Sequence, residues 1–266
     1  MNKEETLRYI ADNKILPDKN FGQNFLCDEE IIGRIIGLSG VSSGDKILEI
    51  GPGIGALTDK FVDLGADITA IEIDKRLNER LNIRFSDRSN IRIICNDYLK
   101  CSNYGEDTYS YAVSNIPYYV MTPVMMKLWG DLKNCQKMTF MIEEEALRRI
   151  DVRPGSKQYG PLAVICSCFG TVKKEFTVPR DAFVPAPHTT SAVITITRDN
   201  GIPSPDFIPF VENCFKVRRK KLTNSFPEIK ETILSMGIRE DIRAEQLEAE
   251  TFRDIFRQYK ASDDIM

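Results

Sequence analysis

Lys46-Ile47-Leu48-Glu49-Ile50 is a short apolar run followed at once by Gly51-Pro52-Gly53-Ile54-Gly55 and then by a helical segment from Ala56 to about Leu64. An apolar run of that length reads as a buried strand. Glycines where a strand turns into a helix let the backbone bend tightly and let a ligand approach without meeting a Cβ. About one strand later, Asp67-Ile68-Thr69-Ala70-Ile71-Glu72-Ile73-Asp74 ends in acids, with Glu72 roughly 20 residues beyond the glycines. Ile91-Arg92-Ile93-Ile94-Cys95 ends in Asn96-Asp97, and Tyr111-Ala112-Val113 ends in Ser114-Asn115. Four strand ends are expected to meet at one crevice of an open α/β sheet, where such folds place ligands.

The rest of the pattern organises around that sheet. Residues 1–45 read as a helical lead-in, with Ile31, Ile32, Ile35, Ile36 and Leu38 at helical spacing. The sheet domain is expected over 46–198, with a helix over Thr122–Leu132, a strand at Lys137–Ile142 and a helix at Glu143–Ile150. Two more strands are expected around Leu162–Phe176 and Thr190–Thr197. Gly201-Ile202-Pro203-Ser204-Pro205 marks a linker. From 206 to 266 the pattern is helical, over Phe207–Val217, Glu228–Met236 and Gln246–Tyr259. A chain of 266 residues accommodates one large α/β domain and a small helical appendage. It has no apolar run of about 18 residues, so no membrane span is expected. Seven scattered cysteines without a Cys-x-x-Cys point to a reduced, cytoplasmic protein. His188 is the single histidine, which argues against histidine triads and most zinc sites; no metal is expected.

Two nucleotide ligands compete for the crevice. A dinucleotide needs Gly-x-Gly-x-x-Gly so that pyrophosphate can sit on the helix N-terminus. Here Ala56 occupies the third glycine position, and Glu49 and Glu72 suit a cation better than a pyrophosphate. S-adenosylmethionine, a sulfonium without phosphate, fits better. Glu72 would accept the ribose hydroxyls and Asp97 an adenine amine. A glycine turn serving packing alone remains the bland alternative.

Ser114-Asn115-Ile116-Pro117-Tyr118-Tyr119 points to the chemistry. An exocyclic adenine amine is a poor nucleophile because its lone pair is delocalised into the ring. The Asn115 carboxamide oxygen and the carbonyl of Ile116 or Pro117 can accept its two N–H bonds and localise the lone pair on nitrogen. Tyr118 offers a face for the base, worth roughly 1–3 kcal/mol. Pro117 stiffens the loop. An ordinary strand-to-turn junction would carry the same string, so the motif alone leaves both readings open.

Phe21-Gly22-Gln23-Asn24-Phe25-Leu26, Glu49-Ile50-Gly51-Pro52-Gly53, Ile71-Glu72, Asn96-Asp97, Asn115-Ile116-Pro117-Tyr118, Phe183-Val184-Pro185-Ala186-Pro187, Ser191-Ala192-Val193 and Arg218-Arg219-Lys220-Lys221-Leu222-Thr223-Asn224-Ser225 follow one another in order. Together they resemble the ribosomal RNA adenine dimethyltransferase family of the KsgA group, over residues 20 to 260. The resemblance implies a Rossmann-like class I methyltransferase sheet, α/β, of seven strands with the last antiparallel, and a small all-helical C-terminal domain. It implies that Asn24, Leu26, Gly51, Gly53, Glu72, Asp97 and Asn115 hold S-adenosylmethionine, and that Tyr118 and Phe183 sandwich the target adenine. The implied reaction is dimethylation of two adjacent adenosines near the 3′ end of 16S rRNA in immature 30S subunits. Nothing in the sequence demands an oligomer, and a monomer is expected. The sister Erm-type 23S rRNA methyltransferases and a non-catalytic ribosome-assembly factor are the alternatives.

The net charge is −3, so RNA contact would have to be local. Arg218, Arg219, Lys220 and Lys221 form the candidate patch, supported by Lys216, Lys173 and Lys174; a solvated charge run on a helix is the alternative. The chain departs from the family pattern at Glu143-Glu144-Glu145, Tyr159-Gly160-Pro161 and His188-Thr189-Thr190. Each departure removes a positive charge or adds a negative one, so non-standard RNA contacts are expected.

Overall fold

A computed structural model describes residues 1–18, 21–102, 108–116, 120–198 and 206–263. The chain divides into two compact units: Met1–Glu144 with Lys173–Thr197, and Glu145–Val172 with Arg198–Met266.

The first unit opens with α1 (Lys3–Asp12), β1 (Phe25–Leu26) and α2 (Glu29–Ser39). Asn2 and Glu5 form a capping box on α1, and the Asp28 carboxylate accepts the Ile31 N–H at 3.0 Å to start α2. The sheet follows: β2 (Lys46–Ile50), α3 (Ala56–Leu64), β3 (Asp67–Glu72), α4 (Lys75–Arg84), β4 (Ile91–Cys95), β5 (Tyr111–Asn115), α5 (Met121–Asp131) and β6 (Lys137–Glu143). Beyond α6 (Pro161–Phe169) come β7 (Gly170–Val178), β8 (Phe183–Val184) and β9 (Ser191–Arg198). The strand order is β4-β3-β2-β5-β6-β9-β7. Strands β2 to β6 pair in parallel, whereas β9 runs antiparallel to β6. Ile47, Leu48 and Ile68 are fully buried, as parallel strands covered on both faces require. Helix α3 lays Leu57, Phe61 and Val62 into the same core. The order reverses between β2 and β5, which creates a crevice at their carboxyl ends.

One strand expectation is corrected. The stretch expected as a strand around Leu162–Phe176 splits into helix α6 and strand β7. Pro161 occupies the first turn of α6, where its missing N–H costs nothing. Seven of the eight residues from Leu162 to Phe169 are buried, so the helix shows no apolar stripe, and a continuous apolar run does not distinguish the two structures. The helix expected over Glu143–Ile150 is a 3-10 turn at Glu144–Arg149.

The second unit consists of α6, α7 (Phe207–Phe215), α8 (Leu222–Ser225), α9 (Lys230–Ser235) and α10 (Ala249–Asp263). Its core is aromatic: Phe210 lies 5.2 Å from Phe256 and 5.7 Å from Phe226, and Phe215 lies 5.4 Å from Phe252, between ring centroids. The Tyr159 hydroxyl donates to the Leu247 carbonyl at 2.8 Å. Residues 145–172, which the sequence pattern groups with the sheet, thus pack with the C-terminal helices. The expected linker at 201–205 lies outside the described residues.

Candidate active site

A cavity of about 300 Å³ opens at the carboxyl ends of β2, β3 and β5, within the size range of small-molecule sites. Asn24, Leu26, Gly51, Gly53, Glu72, Asp97, Asn115, Ile116 and Phe183 all line it. Pro117 and Tyr118 lie outside the described residues.

The floor is the turn after β2. Gly51 and Gly53 have φ of +67° and +62°, a region that side chains strain to enter. At Gly53 a Cβ would also stand 3.3 Å from the Phe25 ring. The Gly53 N–H donates to Glu72 Oε2 at 3.0 Å, and the Asp74 N–H donates to Glu72 Oε1 at 2.9 Å. Burial pushes the Glu72 carboxyl up to about 7, against the pull of these two N–H groups. Each oxygen keeps a lone pair for a ligand hydroxyl. Glu49, also on the wall, is buried completely and pushed up to about 8 by that burial, although it accepts the Thr58 hydroxyl at 2.8 Å. Asp97 caps a 3-10 turn by accepting the Leu99 N–H at 3.0 Å and pairs with Lys100 at 3.6 Å.

Asn115 ends β5 directly across the switch point from Gly51. The Ser114 hydroxyl donates to the Ile50 carbonyl at 2.7 Å, and the Ile116 N–H to the Met141 carbonyl at 3.1 Å, so both flanks of Asn115 are anchored to the sheet. Its own Nδ2 donates to the Asn24 carbonyl at 3.4 Å.

Leu26 and Phe183 arrive together. β1 pairs antiparallel with β8, placing Leu26 opposite Phe183 and Phe25 opposite Val184. The Cys27 N–H continues the ladder to the Ala182 carbonyl at 2.8 Å. Phe183 is 3% exposed and belongs to the hydrophobic core, yet one side of it forms cavity wall. This two-residue pairing, 157 positions apart in the chain, lies below any periodicity signal. Gln23 and Glu49 complete the site, and the sequence suggested a place for Glu49 only by charge.

The basic run requires correction in part. It lies on the turn between α7 and α8, not within a helix. Arg218 is committed internally: its guanidinium donates to Glu245 at 2.7 Å and to the carbonyls of Lys157 and Ser156 at 2.5 and 2.7 Å. Arg219, Lys220 and Lys221 are exposed. Lys173 and Lys174 are paired with Glu175 and Glu144 at 2.7 and 2.6 Å, which cancels the support expected from them. Glu144 also accepts the hydroxyls of Thr177 and Thr190 at 2.9 and 2.8 Å. These bonds, Lys174 foremost, hold its carboxyl down at about 2. Two of the departures from the family pattern, Glu144 and Thr190, are therefore each other's partners.

The family model for ribosomal RNA adenine dimethylase matches residues 17–261. The chain belongs to the ribosomal RNA adenine dimethylase family. Within that family it is 34% identical to a ribosomal RNA small subunit methyltransferase A of Levilactobacillus brevis, covering 88% of this chain and 87% of the relative. It is 33% identical to the protein of that name from Natranaerobius thermophilus, over 96% and 95%. Among solved structures, a dimethyladenosine transferase from Plasmodium falciparum shares the fold with a TM-score of 0.71 at 21% identity, over 89% of this chain and 98% of the other. The 23S rRNA methyltransferase ErmE shares it at 0.63 and 22% identity, over 89% and 100%. Both features of the fold implied by the family resemblance, the parallel sheet with its antiparallel β9 and the C-terminal helices, are present here.

Proposed function

We propose that this protein transfers methyl groups from S-adenosylmethionine to the N6 amines of two adjacent adenosines near the 3′ end of 16S rRNA, acting as a cytoplasmic monomer on immature 30S subunits. The observation that carries this reading is that Glu72 and Asn115 line the same cavity from opposite sides of the strand switch. The small-subunit name shared by the curated relatives favours 16S over 23S rRNA.

The residues present fit the donor. Glu72 offers a fixed carboxylate for ribose hydroxyls, Asp97 an acceptor for the donor's adenine amine, and the backbone at Gly51 and Gly53 a close approach. Asn24 and Leu26 close the wall. Glu72, when ionised, would attract a cation and repel a pyrophosphate, whereas the Glu49 carboxyl, pushed up to about 8 by burial, stays neutral near pH 7. The donor supplies a methyl carbon made electrophilic by the adjoining sulfonium.

The protein's part is alignment. Asn115 Oδ1, with the carbonyl of Ile116 or Pro117, accepts the N–H bonds of the target amine and turns its lone pair out of conjugation. Phe183 and Tyr118 hold the base, which must leave its stack to enter. Nitrogen gains the methyl carbon, the sulfonium carbon–sulfur bond breaks, and the cationic amine then loses a proton to water. Holding reactants in line supplies much of the acceleration. Arg219, Lys220 and Lys221 contact phosphates and position the RNA without reading sequence.

Primer extension on both rRNAs from a strain lacking the protein tests the target. The expected result is loss of a stop at adjacent adenosines near the 3′ end of 16S rRNA. Loss of a stop in 23S rRNA alone would overturn the assignment.

A further inference from the structure

The Phe21–Asn24 segment forms part of the cavity wall, and its last two residues are tied to different parts of the site. Gln23 Oε1 accepts the Asp18 N–H at 2.8 Å while Gln23 Nε2 donates to Asp74 Oδ2 at 2.8 Å. Asp74 is 3% exposed and stands at the N-terminus of α4. Its N–H holds Glu72, and its carboxylate also takes Arg76 at 3.0 and 2.6 Å. Burial alone would raise the Asp74 carboxyl; the hydrogen bonds from Arg76 and Gln23 outweigh it and hold it below its ordinary value.

At the next residue, the Asn24 carbonyl accepts Asn115 Nδ2 at 3.4 Å, and the Asn24 side chain donates to the Gly22 carbonyl at 3.0 Å. A carbonyl only accepts. The end of the Asn115 amide turned towards Asn24 must therefore be nitrogen, and Oδ1 is the end turned away. A target amine with two N–H donors needs that oxygen.

The geometry points to Gln23 as a positioning residue: it fastens the Phe21–Asn24 segment to Asp74, so that the Asn24 carbonyl sets which end of the Asn115 amide faces the acceptor. The inference rests on the methyl-transfer reading above and assigns a task to a residue that touches neither reacting atom. It links the carboxylate expected to hold the donor with the carboxamide expected to hold the acceptor, through the adjacent residues Gln23 and Asn24. Losing the tie lets Asn115 rotate. The damage then appears chiefly in turnover, because without Gln23 the Glu72 carboxylate keeps the Gly53 N–H and Asp74 keeps its bonds to Arg76.

The test uses full-length protein, immature 30S subunits and labelled S-adenosylmethionine, with S-adenosylhomocysteine binding followed by calorimetry. Gln23→Ala should lower turnover at saturating substrates roughly ten- to a hundredfold, since a misplacement of about 1 Å costs on that order. S-adenosylhomocysteine affinity should fall by a smaller factor. Gln23→Glu sets a second carboxylate against Asp74, between Asp18 and Arg76 and close to Glu72, and should lose turnover as well. Because Arg76 Nη2 also donates to Asp74 Oδ2 at 2.6 Å, the exchange is made in an Arg76→Ala background, where Gln23→Glu combined with Asp74→Asn restores one amide facing one carboxylate with the polarity reversed, and asparagine still caps α4. That double variant should recover most of the turnover lost in Gln23→Glu in the same background. Wild-type turnover in both single variants, or a double variant no better than Gln23→Glu in that background, overturns the role of Gln23. Wild-type protein that transfers no label to rRNA overturns the methyl-transfer reading itself, and the inference with it.

Discussion

Glu72 and Gly53 are joined by a 3.0 Å hydrogen bond from the glycine N–H to the carboxylate, which ties the end of β3 to the turn after β2. The carboxylate is thus held at the cavity wall before any ligand arrives. Glu72→Gln keeps the shape but removes the charge and one acceptor. Charge-assisted bonds contribute about 1.5–3 kcal/mol, so S-adenosylhomocysteine affinity should fall roughly ten- to a hundredfold by calorimetry.

The same carboxyl makes donor binding pH-dependent. Burial raises it to about 7 in the free protein, and ribose hydroxyls donate best to its ionised form. A ligand that favours the ionised form binds tighter as pH rises through the free-state value. S-adenosylhomocysteine affinity should increase from pH 6 to pH 8, by at most about tenfold per pH unit for one proton. Glu72→Gln should flatten the profile; an unchanged slope in that variant would assign the dependence elsewhere.

Glu49 sets stability against function. Its folded-state value of about 8 lies above the unfolded value of about 4.3. Between those limits the native state holds one more proton than the unfolded state, so this group costs stability as pH rises. Glu49→Gln removes that cost and keeps an oxygen for the Thr58 hydroxyl. The difference in Tm between variant and wild type should grow in the variant's favour from pH 5 to pH 8. A difference that stays flat or shrinks would contradict the buried, protonated carboxyl.

Within the basic run, Arg218 should behave unlike its neighbours. Arg218→Ala removes the charged donor from Glu245 and from the Lys157 carbonyl, while the Ser156 carbonyl keeps the Tyr159 N–H; the loss costs about 1–3 kcal/mol and should lower Tm. Replacing Arg219, Lys220 and Lys221 by alanine should leave Tm nearly unchanged. The triple variant should weaken RNA binding and make it less sensitive to salt, by about one unit of slope for each phosphate that no longer meets a cation.

Strands with strong apolar runs and turns rich in glycine were legible in the chain, which is why Lys46–Ile50, the Gly51–Gly55 turn and Glu72 fall where their spacing puts them. Helix α6 was not, because a segment buried all round shows no period. The pairing of Leu26 with Phe183 was equally hidden, since two residues of strand carry no pattern. The neutralisation of Glu144 by Lys174 and Thr190 depends on tertiary neighbours 30 and 46 positions away. Charge counting along the chain saw only an added negative residue.

Mapping labelled methyl groups on rRNA from immature 30S subunits, with wild-type protein and with Asn115→Ala, tests the central claim most directly. Label should appear on N6 of two adjacent adenosines near the 3′ end of 16S rRNA with wild type and fall at least about a hundredfold with Asn115→Ala. Label on another base or in 23S rRNA, or undiminished label with Asn115→Ala, would contradict it.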